Sequence, residues 1–170
     1  MVSAELNTWA VYRAALAYPD ERLAARLREL FADAPPTLEA AQAVYIDLFE
    51  AGLPQPRCPL LESAYLLNRP AGEVVLENKL FYQHFGLEID PRAAPDHLLT
   101  QLEFLAWLDH CIEAGNPDRE SCIRARSEFL RRHVVHWVGQ AARLAESAGG
   151  SCYAHLLQAL AAEVASVLEN

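Results

Sequence analysis

An all-α, single-domain helical bundle is predicted by three features of the sequence. Apolar residues recur at helical spacing nearly everywhere. No stretch alternates with period two between turn signals. At 170 residues with 52% apolar side chains the chain fills one core and is short for two, so 1–170 is read as one domain.

Each element has a local reason. Leu6, Trp9, Ala10, Tyr12, Arg13, Leu16 and Ala17 form a first helix that stops before Pro19. Asp20 can cap a second, carrying Leu23, Leu27, Leu30 and Phe31, which Pro35-Pro36 ends. Thr37 caps a third, with Leu38, Ala41, Val44, Tyr45, Leu48 and Phe49 inward and Gly52 at its close. "GLPQPRCP" is too rich in proline for an element; it is the longest internal loop and leads into the amphipathic "LLESAYLL". A fourth helix runs from about Gly72 to Phe85 and ends at Gly86.

The helix from Pro95 to about Ala114 is apolar on nearly all sides, the mark of a central, buried helix. A Pro-Asp opening suits its first turn, since proline gives up no intrahelical donor there and Asp96 meets the positive end of the dipole. Asn116 then offers a cap and Pro117 a first helical position. In the helix that follows, Glu120, Arg124, Glu128 and Arg132 form a solvated ladder, while Cys122, Ile123, Phe129, Leu130, His133 and Trp137 face inward. The valines around Val134 hint at a break, Gly149-Gly150 is the last hinge, and Ser151 caps a final helix carrying Leu156, Leu157, Leu160, Val164 and Leu168.

Fourteen basic against twenty-three acidic residues give a net charge of −9, the wrong sign for neutralising phosphates, so nucleic acid is not an expected partner, while a cationic peptide is electrostatically welcome. No run approaches the ~18 consecutive apolar residues of a membrane span, so no stable membrane insertion is expected. Glu5 stands where a secretory signal would carry positive charge, which points to the cytoplasm. Cys58, Cys111, Cys122 and Cys152 are scattered without C-x-x-C spacing, so free, partly buried thiols are expected.

Catalytic chemistry has little to stand on. No phosphate-binding glycine loop or nucleophile elbow is present. The best metal offer, His133-x-x-His136, lacks further ligands, and His133 falls on an apolar stripe, as a hydrogen-bonded core histidine would. Asp96, Glu103 and His110 recur every two turns, which leaves an acid–base enzyme using Asp96, His97 and Glu103, or a metal enzyme using His133 and His136, as the alternative function. The plainer account has Asp96 capping the helix, Glu103 paired with a buried arginine or backbone donors, and His110 near the surface.

Five stretches occur in an order that resembles a known family: "YIDLFEAG" from Tyr45, "CPLLESAY" from Cys58, "LFYQHFGL" from Leu80, "PDHLLTQLEFLAWL" from Pro95 and "FLRRHVVHW" from Phe129. They are similar to redox-enzyme maturation chaperones of the TorD, DmsD and NarJ type. The resemblance implies an all-helical cytoplasmic chaperone with no reaction and no cofactor of its own, either monomer or dimer. Its partner would be the catalytic subunit of a molybdenum oxidoreductase of the dimethyl sulfoxide reductase superfamily, bound before export, often at a twin-arginine signal peptide, and held for insertion of the molybdopterin cofactor. By the same resemblance Pro95, Asp96 and His97 lie in the signal-binding region, and Glu62, Tyr65, Tyr82, Glu103 and Trp107 belong to the client-binding set. A twin-arginine signal joins guanidinium groups to an apolar run, and an acid-rimmed hydrophobic groove between helices satisfies both.

Overall fold

The computed structural model describes residues 7–115 and 117–169 and, among these, eight α-helices and no sheet. Leu6 and the Asn116 cap lie outside the described residues, as does the side chain of Ser151.

The first three helices begin at side-chain caps. Asn7 accepts from the Ala10 N–H to open α1 (Thr8–Ala15), and its amide donates to the Ala106 carbonyl at 3.0 Å, fixing α1 across the central helix. Asp20 accepts from Leu23 at 2.7 Å to open α2 (Glu21–Leu30), and Thr37 accepts from Ala40 to open α3 (Leu38–Tyr45). Leu30 is exposed rather than inward. α3 does not continue regularly to Gly52: Ile46–Glu50 widens into a π turn, which keeps Leu48 and Phe49 buried before the loop. "LLESAYLL" forms only a short 3-10 turn, Glu62–Ala64.

α4 (Ala71–His84) ends at Gly86, whose φ of 70° is the left-handed conformation that glycine adopts without a Cβ penalty. α5 (Leu98–Glu113) is the core helix, burying Leu98, Gln101, Leu102, Phe104, Leu105, Leu108 and Cys111. α1 packs on one side of it and α6 (Arg119–Arg132) on another. Pro117 is in a turn rather than at the first helical position, and α6 begins two residues later. The break near Val134 is a 3-10 turn, Val134–His136, after which α7 (Val138–Ser147) and α8 (Ser151–Glu169) form an antiparallel hairpin. All four cysteines are free and buried. No helix among the described residues is long and apolar enough to cross a membrane.

The α7–α8 hairpin is seated through a close approach. A Cβ on Gly150 would lie 2.3 Å from Leu48 Cδ1, and Leu48 is itself fully buried. Gly150→Ala should therefore cost about 1–3 kcal/mol by overpacking, whereas Gly72, with open space around it in α4, should tolerate alanine with a gain of about 0.5 kcal/mol. Urea unfolding of the two variants checks this, and equal midpoints would show that Leu48 has room to move.

Candidate functional site

The segment after the proline loop pairs with the approach to α5. Leu98 N–H donates to the Leu60 carbonyl at 2.8 Å and Glu62 N–H to the Asp96 carbonyl at 3.0 Å, an antiparallel bridge between Leu61 and His97. Asp96 does not cap α5. It is 2% exposed, and its carboxylate accepts the Ser63 N–H at 3.1 Å, so it caps the 3-10 turn across the bridge. His97 caps α5 instead, Nδ1 accepting from Leu99 N–H at 3.2 Å. Burial pushes the His97 imidazole below its ordinary pKa, with the neighbouring Asp96 charge opposing.

Beneath this bridge lies a buried polar cluster. Glu62, at 0% exposure, accepts from Asn78 Nδ2 at 2.8 Å, Gln101 Nε2 at 2.7 Å and His133 Nδ1 at 2.9 Å. Those donors come from α4, α5 and the C-terminal cap of α6. Gln101 also donates to Asn78 Oδ1 at 3.0 Å, and Asn78 to the Val74 carbonyl. The Nδ1–H tautomer of His133 follows from its carboxylate partner, leaving Nε2 without one among the described residues. The resemblance placed Glu62 with the client; the structure places it inside the core with both oxygens engaged.

The other site residues divide by accessibility. Tyr65 is half-buried, donates to the Pro59 carbonyl at 2.9 Å and stacks on Trp137 with ring centroids 5.2 Å apart. Burial, with Cys58 beside it, pushes the Tyr65 phenol up, and burial likewise raises Cys58 to about 11. The Tyr82 hydroxyl donates to the Pro95 carbonyl at 2.7 Å, and its phenol is raised by burial and then by the charges of Glu62 and Asp96. Pro95 and His97 are half-buried. Glu103 does not meet a buried arginine; it pairs at the surface with Arg13 at 3.2 Å. Trp107 is half-buried beside Phe85 and Phe104.

Tyr82, Glu103 and Trp107 are brought together on one groove of about 310 Å³ between α5 and the 87–93 segment. Its apolar lining includes Leu87, Ile89 and Phe104. Its charged lining is Glu88, Asp90 and Glu103, with no basic residue. A second groove, between α4 and α6, mixes Arg124 and His84 with Glu128.

The alternative enzymes lack a formed site. Asp96 and His97 are spent on the Ser63 and Leu99 amides while Glu103 stands on the surface with Arg13. His133 is buried and His136 exposed, and no group of three or more His, Cys, Asp or Glu that could hold a metal ion occurs among the described residues. Sequence reasoning missed Asn78, and it marked Gln101 only as a place where relatives of the family it resembles carry an acid, not as a buried partner of Glu62. The only available signal was a polar residue on a buried stripe, Asn78 one turn from Val74 and one from Tyr82.

The family described as Nitrate reductase delta subunit matches residues 13–143. The chain is 37% identical over 152 residues to the selenate reductase assembly chaperone protein of Thauera selenatis, covering 84% of this chain and 77% of that one. It is 35% identical over 127 residues to the chlorate reductase assembly chaperone protein of Ideonella dechloratans, covering 71% of this chain and 66% of the relative. Identity to the perchlorate reductase assembly chaperone protein of Dechloromonas aromatica is 32% over 130 residues, 71% of this chain and 54% of the relative. A crystal structure described as a redox enzyme maturation protein of Archaeoglobus fulgidus shares the fold, with a TM-score of 0.50, 21% identity and coverage of 75% of this chain and 88% of that one.

Two outcomes follow from the geometry. Glu62→Gln replaces an acceptor oxygen by an amide N–H that faces buried donors and should cost about 1–3 kcal/mol, whereas Glu103→Gln breaks an exposed pair and should cost less than about 1 kcal/mol; denaturant midpoints separate them. His97 stabilises as the neutral acceptor of its cap, so its contribution is complete above the ordinary histidine pKa of about 6.5 and is lost as pH falls through the lowered folded value. As the pH falls from above about 6.5 through that lowered value, the native chain should therefore lose more stability than His97→Asn, whose amide oxygen caps without titrating. Parallel melting curves would remove His97 from the acid response.

Proposed function

The chain belongs to the Nitrate reductase delta subunit family, among the redox-enzyme maturation chaperones of the TorD, DmsD and NarJ type, and we propose that it binds the catalytic subunit of a molybdenum oxidoreductase before that subunit is exported. The client is of the dimethyl sulfoxide reductase superfamily, and the contact is its twin-arginine signal peptide. Binding takes place in the cytoplasm and holds the subunit for insertion of its molybdopterin cofactor. The relatives support this reading, being assembly chaperones of selenate, chlorate and perchlorate reductases by name.

The observation that carries it is the groove between α5 and the 87–93 segment, where an acid-only rim surrounds an apolar and aromatic floor. Guanidinium groups bind carboxylates in charge-assisted, often bidentate pairs, and the apolar run of a signal peptide covers a hydrophobic floor as an amphipathic helix would. In this reading Glu103 and Trp107 contact the peptide directly and Tyr82 forms part of the floor. Pro95, Asp96, His97, Glu62 and Tyr65 hold the backbone behind it. The same burial that removes Asp96 from the surface makes it a brace.

The test is a titration with a synthetic peptide carrying two adjacent arginines ahead of a leucine-rich run. Glu88→Gln, Asp90→Asn and Glu103→Gln combined should weaken binding by about ten- to a hundredfold, the worth of one to two charge-assisted contacts, with the melting temperature nearly unchanged. Equal affinity of the native chain and the triple variant would move the client elsewhere.

A further inference from the structure

Two of the chain's own guanidinium groups already sit on the carboxylates of the groove. Arg13 comes from α1, ninety residues away in sequence, and places Nη2 at 3.2 Å from Glu103 Oε2. Arg92 grips Asp90 with Nε at 3.2 Å and Nη2 at 3.1 Å, and its backbone N–H adds a third bond at 2.9 Å. These contacts hold the Asp90 carboxyl below the usual carboxylate range. Neither arginine lines the groove, whereas Glu103 and Asp90 both do. Glu88, the remaining acid of the lining, has no ion pair among the described residues.

We propose that Arg13 and Arg92 are internal occupants of the rim, which an arginine-bearing segment must displace in order to bind. The inference rests on the reading of the groove as a binder of such a segment. Three carboxylates around one opening repel one another in a chain whose net charge is −9. Covering two of them with guanidinium groups relieves that repulsion while the groove is empty. The covers are replaceable, because the Arg92 side chain is 90% exposed and that of Arg13 45% exposed, and exposed ion pairs contribute little. The geometry also selects the incomer. A forked guanidinium can reproduce the two-nitrogen grip on Asp90, which an ammonium cannot. The apolar floor supplies the surplus that the exchange of one ion pair for another does not.

The experiment uses the full chain and the same two-arginine, leucine-rich peptide, titrated calorimetrically at low and moderate salt. Arg13→Gln with Arg92→Gln should bind the peptide about five- to tenfold more tightly than the native chain, with the gain shrinking as salt rises. Arg57→Gln with Arg143→Gln is the control: it removes the same charge from exposed positions outside the groove lining, including the Arg57–Asp47 pair at 2.7 Å, and should leave affinity within about twofold. Unchanged or weaker binding by the Arg13/Arg92 variant, while the native chain binds, overturns self-occupation and leaves the groove reading standing. Equal tightening by the control variant also overturns it, since net charge alone then accounts for the gain. Failure of every form to bind the peptide overturns the groove reading, and this inference with it.

Discussion

A carboxylate with no solvent exposure organises this protein. Taking Glu62 out of water costs several kcal/mol, and the fold offsets that only by bringing Asn78, Gln101 and His133 to it from three separate helices. The requirement is geometric as well as energetic. Gln101 must face inward from α5, Asn78 from α4, and α6 must end where His133 Nδ1 reaches the carboxylate. A sliding or rotation of any of these helices would leave a buried acceptor unfilled, so the cluster specifies one packing where apolar contacts alone would tolerate several. Gln101 Oε1 and His133 Nε2 remain unpartnered among the described residues, the residual cost of that choice.

The cluster positions the groove through the backbone it holds. Glu62 anchors the segment that bridges to residues 96–98, Asp96 closes the bridge by capping Ser63, and the Tyr82 hydroxyl fixes the Pro95 carbonyl. Tyr82 works on both sides: its hydroxyl is within reach of Asn78 Oδ1 at 3.4 Å, while the residue also lines the groove. The path from the buried carboxylate to the groove floor therefore runs through two side chains, Asn78 and Tyr82, and both belong to α4.

What was legible in the sequence was what is local. Asp20 and Thr37 cap residues three positions ahead, Gly86 ends α4, and the chain breaks at Val134, all features whose cause lies within one helical turn. Helical periodicity likewise exposed α5 as the central helix. Asp96 defeated the same reasoning because a Pro-Asp pair before an apolar run satisfies the local rule for a cap, while its actual partner, Ser63, is 33 residues away. The Glu62 cluster spans separations of 16 to 71 residues, and no local pattern records that four polar residues on four elements share one point. His133 was legible as a core histidine from its stripe; its partner was not. The family motifs carried that information without naming it, since "CPLLES", "LLTQLEF" and "FLRRHVVHW" each contribute one member of the cluster.

The division between a sealed polar interior and an exposed charged rim governs how such a protein can change. Substitutions at Glu88, Asp90, Glu103, Arg13 or Arg92 alter exposed charges whose net worth to folding is small, so the rim can change without threatening the fold. Substitutions at Glu62, Asn78, Gln101 or His133 leave a buried donor or acceptor stranded, and the loss is felt in stability. The two sets meet at Tyr82, whose ring serves the groove and whose hydroxyl serves the brace. A tyrosine there satisfies both demands; phenylalanine would keep the floor and release the Pro95 carbonyl, and a smaller polar residue would lose both. That position, more than any of the charged ones, links the groove to the core.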